Sequence, residues 1–196
     1  APDAPEVLPD LVAALLPGGQ PVARDAALGI LRRQLGRIQG RVQRAFEAHD
    51  LSGLAAARWL GALTDGQVGA IHAYAATQGA EPAARGEPGW ALIATGGYGR
   101  GVLAPYSDID LLFLSDQPLG PQGRRAVEFM LYLLWDLGLK VGHATRTVTE
   151  CLEDARGDAT IQTALIDARF LAGERGVAER FEVAFAAFRK TSGLAA

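Results

Sequence analysis

Two short apolar runs on either side of a glycine-rich turn constrain the fold of this chain more than any other feature. The first run is Trp90–Ala94 and the second is Ile109–Leu114. Runs of this length, bounded by glycine and aspartate, are typical of buried strands, because a surface helix keeps one polar face. The sequence therefore predicts a sheet, with a glycine-rich turn where its first strand ends.

Helical patterns occupy most of the remaining sequence. Apolar residues at spacings of three and four begin at Leu28 and predict a long amphipathic helix that ends near Phe46. Thr64 and Gln67 have the spacing of a capping box, which predicts one helix over residues 51–63 and another that begins at Thr64. After the second apolar run, the pattern predicts a helix over 126–137, a third strand over 140–148 and helices over 150–156, 159–171 and 174–189.

These elements predict an α/β fold, in which a small mixed sheet follows an N-terminal helical extension. Five prolines predict a loose lead-in over residues 1–24, with at most one short helix around its apolar cluster. We expect a helical region over residues 25–80, a loop at 79–89 and the sheet-containing domain at 88–190. A chain of 196 residues is consistent with one domain that carries such an extension.

Composition excludes several classes of protein. The chain has 22 acidic and 19 basic residues, and its net charge of −3 lacks the basic excess that is typical of nucleic-acid-binding proteins. No apolar run approaches the ~20 residues of a membrane span. The single cysteine cannot form an internal disulfide, which fits a reducing compartment, and we expect a cytoplasmic protein. Because the sequence begins with Ala1 rather than methionine, we expect it to be a piece of a longer protein.

The candidate catalytic and ligand-binding residues lie in and after the glycine-rich turn. Asp108 and Asp110 stand two apart, and residues two apart on a strand point to the same side. Neighbouring carboxylates repel each other unless a cation neutralises them, so the pair predicts a Mg²⁺ site. Gly96 and Gly97 carry no side chain that would block a phosphate, and the amides that follow can donate to its oxygens. The sequence therefore predicts a metal and phosphate site.

The segment 94–114, ATGGYGRGVLAPYSDIDLLFL, resembles the nucleotidyltransferase superfamily typified by DNA polymerase beta. That superfamily has an apolar strand, then Gly-Gly or Gly-Ser, then Asp-x-Asp, and Gly96-Gly97 and Asp108-Asp110 occupy those positions here. Residues 134–151, LWDLGLKVGHATRTVTEC, and 164–173, ALIDARFLAG, extend the resemblance to the protein-PII uridylyltransferases.

This resemblance implies a polymerase-beta-type fold and the Mg²⁺-dependent transfer of UMP from UTP to a tyrosine of PII, a small nitrogen-signalling protein. Asp108 and Asp110 would hold two Mg²⁺ ions, or Mn²⁺, and Gly96 and Gly97 would hold phosphate. Full-length members of the family add a hydrolase domain that removes UMP and two sensing domains, for which 196 residues leave no room. Two alternatives stay open: a nucleotidyltransferase for a small-molecule acceptor, and a non-catalytic NTP-binding module of the same fold.

Further residues are candidates for contacts with the nucleotide or the acceptor. Arg100 can add a charge-assisted contact to phosphate, Ser107 either contacts phosphate or orients the aspartates, and Arg146 is a candidate triphosphate ligand. The third strand has no Asp or Glu, although polymerase-type relatives carry a third carboxylate there that helps to deprotonate the acceptor. A tyrosine acceptor with a pKa near 10 has less need of a strong base, so His143 is either that base or a structural histidine.

Two other pairs call for an assignment. We expect Asp167 and Arg169 to form a structural pair beneath the site. His49-Asp50 matches the His-Asp motif of the metal-dependent hydrolase domain. The metal site of that domain needs another histidine further upstream, and none precedes His49. We therefore assign this dipeptide to the polar end of a helix.

Overall fold

A computed structural model of the chain describes residues 8–78 and 88–191. In these ranges the chain runs through α1 (Leu8–Leu15), a 3₁₀ turn (Pro17–Gly19), α2 (Arg24–Glu47), α3 (Gly53–Gln78), β1 (Trp90–Ala94), α4 (Gly96–Gly99), β2 (Ile109–Ser115), α5 (Pro121–Asp136), β3 (Val141–Thr147), α6 (Val148–Gly157), α7 (Ala159–Ile166), β4 (Arg169–Gly173) and α8 (Arg175–Thr191).

The chain divides into two compact units that interleave along the sequence. The first unit comprises residues 1–80, 101–109 and 125–141, and the second comprises 81–100, 110–124 and 142–196. The first unit therefore holds α1, α2, α3 and most of α5, and the second holds the sheet with α4, α6, α7 and α8. The predicted division, by contrast, ran in consecutive segments. Most of the predicted loop at 79–89 lies outside the described residues.

The N-terminal lead-in contains one short helix within its described residues, and residues 17–21 after it are exposed. Its one short helix, α1, packs on α3 and buries Leu11 and Leu15. Residues 1–7 lie outside the described residues.

α3 is one continuous helix, so the predicted break at Thr64 is wrong. Thr64 and Gln67 are buried in the middle of α3, and the Gln67 side-chain amide donates to the carbonyl oxygen of Leu31 on α2 at 3.5 Å. The spacing that resembled a capping box instead belongs to two buried polar side chains, of which Gln67 contacts the neighbouring helix. Ile38, Val42 and Leu63 form an apolar cluster of the same unit.

The sheet of the second unit is mixed and has the order β3-β2-β1-β4. β1 lies between two antiparallel partners: Ala94 pairs with Leu111 of β2 and with Arg169 of β4. All of β1 beyond Trp90 and nearly all of β2 are buried. The predictions of an α/β fold and of strands at the two apolar runs are confirmed.

β4 corrects the prediction of a helix over residues 159–171. α7 ends at Ile166, and the chain then extends as Arg169–Gly173 to pair with β1. A bulge between Leu92 and Ile93 shifts the register of this pairing. Because a partner strand is available, Phe170 and its neighbours extend instead of continuing the helix.

The core of the second unit lies where α6, α7 and α8 pack on the sheet. Its buried members include Ile93, Leu112, Leu114, Leu165, Phe181 and Phe185. The rings of Phe181, Phe185 and Phe188 on α8 stack in sequence, with centroids 5.5 and 5.8 Å apart. This core holds the sheet edge that carries the candidate site.

None of the helices within residues 8–78 and 88–191 is both long and apolar enough to cross a membrane.

Candidate active site

Asp110 lies on β2 and faces two glycines of neighbouring segments. The N–H of Thr95 donates to the carbonyl oxygen of Asp110 at 3.0 Å, which joins the end of β1 to β2. A Cβ added to Gly96 would lie 3.1 Å from Asp110 Oδ2, and one added to Gly142 would lie 2.3 Å from Oδ1. The two glycines therefore leave room on both sides for the carboxylate as it is placed.

The glycine-rich turn forms α4, a single helical turn directly after β1. Thr95 is extended, and the chain then turns at Gly96, whose φ of +54° lies in the left-handed region that favours glycine. Gly97 has more space than Gly96, because a Cβ there would lie 3.6 Å from the Arg100 guanidinium. The structure thus places Gly96 beside the Asp110 carboxylate, and that Gly96 and Gly97 hold phosphate stays a prediction.

Arg100 pairs with Asp167, which the sequence analysis had linked to Arg169. Arg100 Nη1 donates to Asp167 Oδ2 at 2.7 Å, and both side chains are partly exposed. Arg169 instead donates to the carbonyl oxygens of Gly99 and Tyr98, at 3.0 and 3.3 Å. A role for Arg100 at phosphate stays a prediction.

Ser107 and Asp108 belong to the first unit and precede β2. Both are exposed. The segment that carries them is held on α3, because the N–H of Leu103 donates to the carbonyl oxygen of Ala57 at 3.0 Å. Tyr106, just before Ser107, has a φ of +66°, a conformation that costs a residue with a side chain about 1 kcal/mol or more. That Asp108 shares metal ions with Asp110 stays a prediction.

A cleft of about 260 Å³ lies beside Asp110 in the second unit. Its polar wall is the outer strand β3, which contributes His143 and Arg146, and its apolar wall is α7, which contributes Ile161, Ala164 and Leu165. His143 is exposed. The Arg146 guanidinium pairs with Asp154 of α6 at 2.6 Å, so this predicted phosphate ligand already has a protein partner.

The end of β3 is fixed by a capping box that begins α6. The Thr147 hydroxyl accepts from the N–H of Glu150 at 3.2 Å, and the Glu150 carboxylate accepts from the N–H of Thr147 at 2.7 Å. The bonds from the Thr147 backbone and side chain lower the pKa of Glu150 below its ordinary value of 4.5. Cys151, which follows, is fully buried, and burial raises the pKa of its thiol to about 12.

Two glycines of the site were missed by the sequence analysis. Gly142 stands inside β3, and an isolated glycine in a strand signals a close approach of another group. Gly99 ends the glycine turn, and a Cβ there would lie 2.0 Å from the carbonyl oxygen of Asp167. The signal for Gly142 was therefore present in the sequence, whereas the role of Gly99 depends on a segment far along the chain.

The described residues contain no group of three or more histidine, cysteine or acidic side chains that could hold a metal ion. His49 and Asp50 follow the end of α2, where a ring nitrogen of His49 contacts the carbonyl oxygen of Glu47 at 3.0 Å.

Comparison with known proteins identifies the class of this chain. Residues 85–171 match the nucleotidyltransferase domain family. The matched range runs through the sheet, the glycine turn, both aspartates and the cleft residues described above. The chain therefore carries a nucleotidyltransferase domain, and its α/β architecture is consistent with the polymerase-beta-like fold of that class.

Similarity to an individual protein indicates a narrower class than the domain family does. The chain is 50% identical, over 164 residues, to the bifunctional uridylyltransferase/uridylyl-removing enzyme of Gluconobacter oxydans (strain 621H). The aligned residues make up 84% of this chain and 17% of that relative. The resemblance to uridylyltransferases is confirmed, and the chain spans about a sixth of the length of the relative that it matches.

Proposed function

We propose that this chain catalyses the Mg²⁺-dependent transfer of UMP from UTP to a tyrosine of the PII signalling protein, with release of pyrophosphate, in the cytoplasm. Two comparisons support this proposal: the nucleotidyltransferase domain at residues 85–171, and 50% identity to a protein named for uridylyl transfer. The observation that carries it is the Asp110 carboxylate, which lies next to the glycine turn with glycine on both sides.

The residues around Asp110 fit a Mg²⁺ ion. Magnesium prefers oxygen ligands, and it is commonly held by one or two carboxylates together with substrate phosphates and water. Asp110 lines the cleft of about 260 Å³ described above, which gives its carboxylate open space for a hydrated ion. We assign Asp110 and Asp108 as the protein ligands. When bound, Mg²⁺ supplies positive charge to the α-phosphate and to the leaving pyrophosphate.

The other residues of the site position the nucleotide. Gly96 and Gly97 let the triphosphate approach the backbone without meeting a side chain, and Arg100 lies on the same turn with its guanidinium partly exposed. Ser107 precedes Asp108 and orients it or contacts phosphate. In the reaction, the tyrosine oxygen forms a bond to the α-phosphorus, and the bond from that phosphorus to the bridging oxygen breaks. Pyrophosphate leaves with the electron pair of that bond, and the phenol proton passes to solvent water.

The phenol supplies much of its own reactivity in this proposal. The third strand carries no carboxylate, and a tyrosine with a pKa near 10 is far easier to deprotonate than a sugar hydroxyl. We therefore expect His143→Ala to leave the pH dependence of transfer almost unchanged. Single-turnover transfer measured from pH 5.5 to 9 tests this, because a catalytic base at His143 would cost the alanine variant at least about tenfold in rate and remove one limb of the profile.

Incubation of the chain with UTP labelled at the α-phosphate, Mg²⁺ and PII tests the proposal directly. Label on a PII tyrosine is the expected result, and Asp110→Asn should abolish it. Label on a small molecule would indicate a different acceptor, and UTP binding without transfer would indicate a non-catalytic module. Asp116→Asn is the matched control, because Asp116 follows the same strand but pairs with Arg180 on α8.

A further inference from the structure

The segment that joins α7 to β4, together with the start of β4, contacts the C-terminal end of the glycine turn. The Asp167 carboxylate accepts from Arg100 at 2.7 Å. The Asp167 carbonyl oxygen lies against Gly99, so closely that a Cβ there would stand 2.0 Å from it. The Arg169 guanidinium donates to the carbonyls of Gly99 and Tyr98 and lies over the Tyr98 ring at 5.7 Å. We call Asp167 and Arg169 the turn clamp.

The turn clamp acts at one end of α4 while the other end faces the carboxylate of Asp110. α4 has only four residues, and Gly96 at its start is the residue whose missing Cβ lies 3.1 Å from Asp110 Oδ2. A helix of one turn cannot hold its own conformation in water, because nucleation costs more than its few hydrogen bonds return. The position of Gly96 against Asp110 therefore depends on external contacts, and the clamp supplies them.

Arginine suits this role better than lysine does. Its planar guanidinium presents several N–H donors in a fixed arrangement, so it can bind two carbonyl oxygens and stack on a ring at once. Arg169 does all three, from a half-buried position at the start of β4. A lysine there could reach one carbonyl at a time.

We propose that Arg169 is a positioning residue, which fixes the glycine turn so that Gly96 and Gly97 can receive the triphosphate of the nucleotide. This inference rests on the proposed function for the identity of the ligand, but its structural part does not. Loss of Arg169 should loosen residues 97–100 and weaken nucleotide binding, and it should leave acceptor binding alone.

The test compares Arg169→Gln and Arg169→Lys with the unchanged chain. Hydrogen exchange reports on the amides of residues 97–100, and a UTP analogue with a fluorescent group on its ribose gives the dissociation constant. Arg175→Gln is the matched control, because Arg175 lies over the Phe170 ring at 4.9 Å and pairs with Glu179, far along the chain from α4. Asp167→Asn weakens the other contact of the turn clamp, the ion pair with Arg100, and amide exchange in this variant tests the clamp if both Arg169 variants fail to fold.

We expect faster exchange confined to residues 97–100 and a dissociation constant for the UTP analogue raised at least about tenfold in Arg169→Gln. Arg169→Lys should recover part of both losses, and Arg175→Gln should show neither. In transfer assays at saturating UTP, the KM for the acceptor should change less than twofold.

Three results would overturn the inference: unchanged exchange at residues 97–100, exchange that rises equally throughout the sheet, or faster exchange with unchanged affinity for the UTP analogue. Failure of the proposed function is distinguishable. A chain that binds the analogue but transfers nothing refutes the transfer proposal and leaves the role of Arg169 measurable through binding. A chain that does not bind the analogue refutes both.

Discussion

Replacing Gly142 by alanine should separate activity from stability. The new Cβ would lie 2.3 Å from Asp110 Oδ1, and ordinary contact begins near 3.4 Å, so the carboxylate oxygen must move by about 1 Å. A misplacement of ~1 Å in a reacting site costs ~100-fold in rate. We therefore expect single-turnover transfer to fall about 100-fold, which corresponds to about 2.7 kcal/mol in the barrier.

The free energy of unfolding should not fall with it. The φ of Gly142 is not in the left-handed region, so alanine fits the backbone, and replacing glycine removes freedom from the unfolded chain. The displaced atom is the terminal oxygen of a side chain, so the backbone of β2 can stay in place. We expect urea unfolding to show stability unchanged or raised by up to ~1 kcal/mol.

Gly157→Ala is the matched control, because a Cβ at the end of α6 would meet no atom within 4 Å. This variant should keep full transfer. If Gly142→Ala also kept full transfer, the placement of Asp110 seen here would not be its working position. If activity and stability fell together in Gly142→Ala, the prediction that the two separate would be refuted, because the substitution would then disturb the fold.

Three further predictions test other parts of the structure. Asp108→Asn and Asp110→Asn should each lower single-turnover transfer by at least ~100-fold, because each removes a proposed ligand of the metal ion, whereas Asp116→Asn should keep full transfer. Glu150→Gln should flatten the acid side of the stability curve: the folded pKa of Glu150 is depressed, so its contribution is complete above about pH 4.5 and is lost as pH falls through the folded value, and unfolding at pH 7 and pH 3.5 should differ less in the variant. Cys151 should resist iodoacetamide in the native chain at pH 8 and react once urea unfolds it, since burial raises its pKa to about 12; rapid native labelling would contradict its burial.

Local pattern was enough to predict the strands that are buried on both faces. β1 has the predicted bounds, because its apolar run stops at the glycines of the turn, and β2 extends the second run by one residue. β4 could not be found in this way. Its residues follow directly on α7, and only the pairing of Ala94 with Arg169 and of its neighbours with the rest of β4 makes them a strand. The same limit applies to α3, where Thr64 and Gln67 look like a helix start until Leu31 is known to lie opposite.

In the candidate site, too, the contacts that are local in sequence were predictable and the long-range contacts were not. Gly96 and Asp110 belong to one local motif, and the antiparallel pairing of β1 with β2 brings them together. The partner of Arg100 is Asp167, 67 residues further along, and no local pattern links them. Gly142 was accessible in principle, because a glycine inside a strand has a physical reason, but the group it accommodates lies on the neighbouring strand. The features of the site that the sequence could not predict are therefore those that depend on contacts between residues far apart in the chain.

The place of β4 beside β1 also has a consequence for synthesis on the ribosome. The ribosome makes β1, α4 and β2 first, but β1 lacks one of its two partners until residues 169–173 have emerged. The turn clamp, Asp167 and Arg169, leaves the ribosome at the same stage of synthesis. A nascent chain that stops short of β4 would expose the backbone edge of an apolar strand, a template for unwanted pairing. Sheet and site should therefore mature in a single late step, and arrested chains that end before residue 167 should bind chaperones more than chains that end after residue 191.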